Sequence, residues 1–568
     1  GNSGSLEVVE VLPKYTVYFV ELGDMVCFGL SPDPAFDWHY WQSRGASAPP
    51  KPLSSPLPLF AACRLLSNLT NSPFSPQKLN FFTKLRLHFL SRKVARGKLK
   101  VPASPLPFLT DAAELEELLS GKLYLWEELQ RLWPGGDLPL GVQQLVLEGK
   151  CRLAPAVGLD SWGRLICRRC GSAKLQANSW CCEGEVCFEC TECSSLGKAS
   201  TCTGIVAMAR RQNDPSRYVE LKLSFPLTEA QRRASAQLVE FVKEPNSQSC
   251  LLWAVCGAGK TEVAYQAAKI VLAGGGRVLF AIPRRSVVQE LAERLRQAFS
   301  GLPIQALYGG AAPDERRRTA PLVVATTHQA LRFYRNFDLV ILDEVDAFPY
   351  RGSEALQRGT ERALRQGGKR IFMTATPDRQ LFKKAKAEKW SVVRLPVRHH
   401  GHPLPVPEVV LGPFSADPLR IPKQVLALIK SSQRLFVFVP TIALCLKVSE
   451  ALKGKGIQAA FCHAQDPRRQ EKLLAFRDGK IRCLVATTVA ERGLTVPGAD
   501  VLVLFADHRL FDERALVQMA GRCGRTASHP TGRVYFAAAA RSPAMDEAVR
   551  QIKAQNREAE RLGLLAAA

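Results

Sequence analysis

The feature that most constrains this chain is the run Ala254-Val-Cys-Gly-Ala-Gly-Lys260-Thr261, set between the apolar stretch 251–255 and a helix-like segment, 262–272. Strand, glycine loop and helix in that order build a phosphate cradle. Glycines let backbone N–H groups close around an anion, and the helix N-terminus adds the positive end of its dipole. On this reading Cys256, Gly257, Ala258, Gly259, Lys260, Thr261 and Glu262 surround a nucleotide, with Lys260 at the β/γ-phosphates and the Thr261 hydroxyl on magnesium. The loop opens on Ala254 where glycine is usual, so it needs corroboration. The aliphatic run 339–342 supplies it by ending in Asp343-Glu344-Val345-Asp346. Buried parallel strands have this texture, and an α/β sheet places its chemistry at strand carboxyl ends. Asp343 is expected to hold Mg2+ through water, and Glu344 to polarise the attacking water.

Length allows three or four domains at 568 residues. The excess of 77 basic over 52 acidic residues leaves +25, which points to a polyanion, nucleic acid or an anionic membrane face, rather than a neutral partner. A merely solubilising surface is the plain alternative. No run of 18 apolar residues occurs, so no transmembrane helix is expected, and no basic start leads into an apolar segment as in a signal peptide. Seventeen cysteines in a large nucleotide-binding chain imply reduced thiols in a cytosol. They cluster once, between Cys167 and Cys202. Cys167-Arg-Arg-Cys170 is one C-x2-C turn, and both 187/190 and 190/193 offer a second, 16 or 19 residues on. Two such turns complete a four-cysteine zinc site. Spacing leaves the second pair open, and Cys181 and Cys182 exceed a four-ligand set, hinting at a second metal. The cysteines elsewhere, in apolar runs or motifs, are expected to be small core residues.

Around these motifs the chain divides into six stretches. Residues 1–110 hold a small β unit (15–19, 25–28), a Pro/Ser-rich linker (47–58) and basic segments that contact phosphates or form a solvated face. A small helical unit, winged or a plain spacer, is expected over 111–160, and the cysteine-rich zinc domain over 161–224. From 225 the texture is α/β: apolar strands alternate with polar helices through a first lobe (225–400) and a second (401–545), with a Pro/His-rich hinge at 398–407. A basic helix closes the chain over 546–568. The fold class is α/β, two tandem doubly wound lobes behind a zinc-binding domain and a mixed N-terminal region.

Strand ends carry the remaining motifs. Gln231, ahead of the phosphate loop, is placed to read an adenine edge. Pro283, Arg284 and Arg285, then Thr326, Thr327 and His328, and in the second lobe Thr487 and Thr488, suit a sequence-blind track for single-strand phosphates. Met373-Thr-Ala-Thr376 would couple nucleotide state to lobe closure, and Gly493 would face the cleft. Arg522 and Arg525, one helical turn apart, would meet the γ-phosphate from the second lobe, Arg525 as the finger.

This ordered series, from Thr228 to Arg525, resembles superfamily 2 helicases. The resemblance implies ATP hydrolysis with Mg2+ between two RecA-like lobes whose opening and closing steps the protein along one strand. A narrower resemblance is to the ComFA family. It rests on Trp253-Ala-Val-Cys-Gly-Ala-Gly-Lys-Thr-Glu262, Val324-Ala-Thr-Thr-His-Gln329, Asp343-Glu-Val-Asp-Ala-Phe-Pro-Tyr350, His508-Arg-Leu-Phe511 and the preceding cysteines. That kinship implies a cytosolic ATPase of natural transformation that draws single-stranded DNA into the cell. It favours Cys167, Cys170, Cys190 and Cys193 as Zn2+ ligands, with Cys187 the alternative. By kinship its partners are the ComEC channel, ComFC and DprA. A cytoplasmic location follows, and peripheral attachment at the inner membrane face is compatible with the charge; oligomeric state stays open. Two other readings compete. One is a PriA-like replication-restart or repair helicase, in whose relatives zinc is usually inserted in the motor's second half. The other is a nucleic-acid scaffold that uses nucleotide as a latch, against which the intact Lys260, Glu344 and Arg525 argue. Phosphate contacts alone do not separate DNA from RNA.

Overall fold

The computed structural model describes residues 12–71, 73–95, 112–178, 186–346, 349–463, 465–487 and 496–566. Cys181, Cys182, Thr488 and Gly493 lie outside the described residues.

The first stretch forms an antiparallel hairpin, Thr16–Leu22 with Met25–Ser31, turning at Gly23, whose φ of +61° favours glycine. Short strands Lys51–Pro52 and Gln77–Lys78 flank it, and the helix Leu59–Leu69 packs its apolar side on the sheet. Asp37, fully buried, accepts hydrogen bonds from the Tyr18 hydroxyl at 2.6 Å, the Ser31 hydroxyl at 2.7 Å and Gln143 Nε2 at 2.8 Å. Gln143 belongs to the helix Leu138–Leu147 of the next unit, so a buried hydrogen-bond network centred on Asp37 joins the two.

The helical stretch and the cysteine stretch share one core. Strand Cys151–Pro155 pairs with Gly204–Met208 across the cysteines, and Cys151, Val206 and Met208 pack among Leu115, Trp126, Leu129 and Leu145. A boundary at 160/161 is therefore crossed by a strand pair. This unit is also docked on the motor. Lys122 donates to the carbonyls of Arg317 and Arg318 at 2.9 and 3.1 Å, and Glu128 pairs with Arg332.

The motor is two all-parallel sheets. In the first lobe the strand order is Ile304–Leu307, Leu322–Thr326, Val278–Ile282, Phe337–Asp343, Leu364–Thr374, Ser249–Ala254, Ser391–Leu395. In the second it is Glu408–Leu411, Val534–Ala538, Asp500–Leu504, Leu435–Phe438, Cys483–Ala486, Ala459–Cys462. Central strands are buried on both faces, which explains their unbroken aliphatic sequence. Register matters most in the first lobe: Asp343 lies opposite Met373, and Trp253 opposite Thr374. Phosphate loop, acidic motif and Thr374 thus emerge side by side at the carboxyl edge. The closing helix runs Pro543–Arg561, capped by Ser542. It buries Met545, Ala548, Ile552 and Ala559 in the motor core, so it is an integral part of the second lobe.

Candidate active site and metal centre

Strand Ser249–Ala254 delivers the phosphate loop, and helix Lys260–Ala273 begins directly behind it. Gly257 and Gly259 hold φ of +84° and +74°, left-handed values open to glycine without a Cβ penalty. Lys260 Nζ stands 3.6 Å from Asp343 Oδ1. Burial alone would depress the ammonium, but Asp343, with Cys256, Glu344 and Asp346 behind it, holds its pKa above the ordinary lysine value. Burial lifts the Asp343 carboxyl above the usual range, with Lys260 opposing. Carboxylate and ammonium so placed fit a hydrated divalent cation beside a polyphosphate. Asp343 and Thr261 are the residues that would hold Mg2+, whose chemistry is charge neutralisation on the phosphates.

Gln231 sits against the phosphate loop. It is 1% exposed, its Oε1 accepts the Thr228 N–H at 2.9 Å in a capping box, and its Nε2 donates to Ala258 O at 2.9 Å. The side chain therefore braces the phosphate loop from behind.

The second lobe meets this site directly. Cys256 packs so closely on Gly521 that a Cβ there would lie 2.6 Å from Cys256 Cβ. Arg525, whose Nε donates to Gly521 O at 2.7 Å, passes over the loop, its Cγ 3.8 Å from where a Gly257 Cβ would sit. Burial depresses its guanidinium pKa, with Cys256 and Glu344 opposing. Arg522, one turn earlier, is 2% exposed. A relay spans the cleft. Asp346 accepts from the Thr374 and Thr376 hydroxyls at 2.7 and 2.8 Å, Gln518 Nε2 donates to Thr376 Oγ1 at 3.3 Å, and Cys256 Sγ donates to Gln518 Oε1 at 3.4 Å. Farther out, Arg514 bridges Asp512 of its own lobe and Asp378 of the first, at 2.6 and 3.3 Å.

The residues expected to form the strand track sit at the ends of neighbouring strands. Ile282 and Thr326 are register partners, so Pro283–Arg285 and Thr327–His328 leave the sheet together, and Thr327 N–H donates to Ile282 O at 3.0 Å. Arg285 lies over the Tyr308 ring at 5.0 Å. Thr326 and Thr327 are 7% and 1% exposed. Thr327 Oγ1 has no hydrogen-bond partner among the described residues. Burial also holds His328 below the ordinary histidine pKa. Thr487 is nearly buried at the end of its strand.

Cys167, Cys170, Cys190 and Cys193 are brought together, all four sulfurs within 4.8 Å of one another and all buried. Individual Sγ–Sγ distances are 3.7 Å (167–193), 3.6 Å (170–190) and 3.7 Å (190–193). A tetrahedral zinc with Zn–S bonds of about 2.3 Å requires edges of about 3.8 Å, so the donor set fits. Cys187 is not in the group; its sulfur accepts from the Thr201 hydroxyl at 3.4 Å. Arg169, 2% exposed, donates to Cys193 Sγ through Nε at 3.2 Å and Nη2 at 3.1 Å. A buried cation there offsets the negative charge of a four-thiolate site. Arg362 links the knuckle to the motor, donating to the carbonyls of Arg168, Arg169 and Leu331. Among the described residues fourteen cysteines are free thiols.

Several residues here escaped sequence reasoning. Asp346 stood inside a quoted motif without a role, and Gln518 lies four residues before Arg522. Arg398, His399 and His400 left only a Pro/His-rich composition as a signal, yet all three touch the catalytic loops.

Comparison with known proteins agrees with this geometry. The family model described as Competence protein ComFA N-terminal domain matches residues 110–207. DEAD/DEAH box helicase matches 228–383, and Helicase conserved C-terminal domain matches 419–527. Competence protein ComFA of Bacillus subtilis (strain 168) is 36% identical over 403 residues, covering 69% of this chain and 86% of that protein. Competence protein ComFA of Streptococcus pneumoniae (strain ATCC BAA-255 / R6) is 36% identical over 406 residues, 70% of this chain and 91% of that protein. ATP-dependent DNA helicase RecG of Streptococcus pneumoniae serotype 4 (strain ATCC BAA-334 / TIGR4) shares 26% over 339 residues, 54% and 48%. With two relatives matched over most of their length, the chain belongs to the ComFA family, and it is an ATP-hydrolysing helicase of superfamily 2.

Proposed function

We propose that the chain is an ATP-driven translocase on single-stranded DNA that pulls transforming DNA inward during competence. The observation that carries the motor reading is the meeting of Lys260, Asp343 and Glu344 of one lobe with Arg525 of the other, over a loop shaped for phosphate. Lys260 holds the phosphates, Glu344 orients the attacking water, Thr261 and Asp343 place Mg2+, and Arg525 stabilises charge as the transferred phosphoryl develops it. Pro283, Arg284, Arg285, Thr327, His328 and Thr487 lie at strand carboxyl edges, where a sequence-blind strand would pass. Zinc at Cys167, Cys170, Cys190 and Cys193 fastens the preceding unit to the first lobe. The +25 charge supports a nucleic-acid substrate, and kinship with the ComFA proteins supports the uptake role and its competence partners. Among the described residues no helix is long and apolar enough to cross a membrane. Peripheral attachment at the membrane's inner face belongs to the same reading.

The test is steady-state ATPase activity alone and with single-stranded DNA, duplex, forked DNA or single-stranded RNA, with Lys260→Ala as control. Stimulation by single-stranded DNA, lost in the control, is the expected result. Preference for forks promotes a restart helicase instead, and preference for RNA removes the uptake role. Turnover that survives Lys260→Ala places hydrolysis elsewhere.

A further inference from the structure

The linker between the lobes carries an arginine that the family motifs leave without a task. Arg398 is 1% exposed. Its Nε donates to Cys256 O of the phosphate loop at 3.1 Å. Its Nη1 donates to Cys523 O at 2.6 Å and to Gly524 O, and its Nη2 to Gly521 O at 3.2 Å. One guanidinium therefore holds a carbonyl of the first lobe and three of the second. Its neighbours divide the same task. His399 Nδ1, facing a carbonyl that only accepts, donates to Gly257 O at 3.1 Å. His400 accepts the His402 N–H on Nδ1 at 3.1 Å, which leaves its Nε2–H to donate to Gly524 O at 3.0 Å.

Placement makes these contacts consequential. The three carbonyls from Gly521, Cys523 and Gly524 lie just past the C-terminus of helix Glu513–Ala520, where the dipole favours a cation. They also flank Arg525, the finger. On the other side, successive carbonyls of the phosphate loop are each pinned: Cys256 by Arg398, Gly257 by His399 and Ala258 by Gln231. Peptide planarity makes each pinned carbonyl fix the direction of the following N–H. Gly257 and Gly259 amides are thereby aimed, while the Ala258 N–H closes a turn on Val255 O at 3.1 Å. The linker is itself held from outside, since Asn556 of the closing helix accepts from Leu404 N–H at 2.8 Å and donates to Leu404 O at 2.9 Å.

We propose that Arg398, assisted by His399 and His400, is a positioning residue that clasps the phosphate loop to the arginine loop, making both competent only when the lobes are closed. It touches neither nucleotide nor reacting atoms; it acts through Arg525 and the loop amides. The inference rests on the ATPase assignment and not on DNA uptake, so it is read on basal turnover without polymer, where failure of the uptake reading has no effect.

The experiment compares full-length wild type with Arg398→Met and Arg398→Lys. Basal kcat, KM for ATP, the Kd for a fluorescent ADP and compaction with ADP–beryllium fluoride by small-angle scattering are measured. Arg398→Met is expected to lose roughly tenfold or more in kcat while KM and ADP affinity move by less than about threefold, the pattern of an interaction made only in the reacting state. Compaction is lost with it, and Arg398→Lys, with one compact donor in place of the fork, recovers part of both. A kcat within about twofold of wild type overturns the proposal, as does a parallel loss of ADP affinity and kcat, which marks a disordered phosphate loop. If Arg398→Met does not fold, His399→Ala, which releases only the Gly257 carbonyl, is judged by the same criteria.

Discussion

Glu344 adopts a φ of +54°, a left-handed conformation that costs a residue with a side chain about 1–3 kcal/mol. Asp343 helps to hold it, its Oδ1 accepting the Glu344 N–H at 2.8 Å. On the proposed role of Glu344, that strain belongs to a carboxylate held ready for the attacking water. Glu344→Gln keeps the shape and removes the basicity, so hydrolysis should fall by about 100-fold or more with ATP binding retained. Single-turnover hydrolysis beside nucleotide binding checks this; a matching loss of ATP binding would deny Glu344 a role confined to hydrolysis. At this scale the sequence was generous wherever chemistry demands a residue type at a fixed local offset, as for Lys260, Thr261, Asp343 and Glu344. It said nothing of the backbone angle at Glu344, which surrounding packing imposes. Gln231 shows the same division: its identity was legible, but its use as a brace for Ala258 depends on a helix brought in from 27 residues away.

Among the elements, the cysteine knuckles show how spacing can mislead. Both 187/190 and 190/193 satisfy C-x2-C, yet Cys187 and Cys190 are the two ends of one extended strand, paired with Asn178 and Leu175. Three extended residues span about 10 Å, too far for one metal. Cys190 and Cys193 close a turn instead, with sulfurs 3.7 Å apart. Cys167→Ala should therefore lose zinc, whereas Cys187→Ala should keep the full complement. Metal analysis of the two purified variants decides, and a zinc-free Cys187→Ala would return that residue to the ligand set. Because Arg362 ties the knuckle to Leu331, the first variant should also loosen the contact with the first lobe while leaving the phosphate loop's own hydrogen bonds in place.

For the molecule as a whole, closure joins lobes that are far apart in sequence, and one joint is sensitive to pH. Burial, with Arg398, His399 and His402 nearby, pushes His400 down to about 4, against the hydrogen bond to Gly524 O. An unfolded chain takes up a proton near pH 6.5 that the closed form refuses until about pH 4. The joint is thus fully stable above the higher value and weakens as pH falls through that window. Thermal unfolding between those limits should lose stability toward acid more steeply in wild type than in His400→Asn; equal slopes would remove His400 as the cause. The sequence by itself determined two parallel-sheet lobes, a phosphate-type loop, an acidic motif and a cysteine knuckle. Each is written in contiguous residues whose periodicity or spacing has a local physical cause. Only the tertiary structure decided which cysteines converge, that Arg525 lies over the phosphate loop, and that Arg398 grips both lobes. Those depend on residues as far apart as 256 and 521, which meet only when the sheets have folded and the cleft has closed.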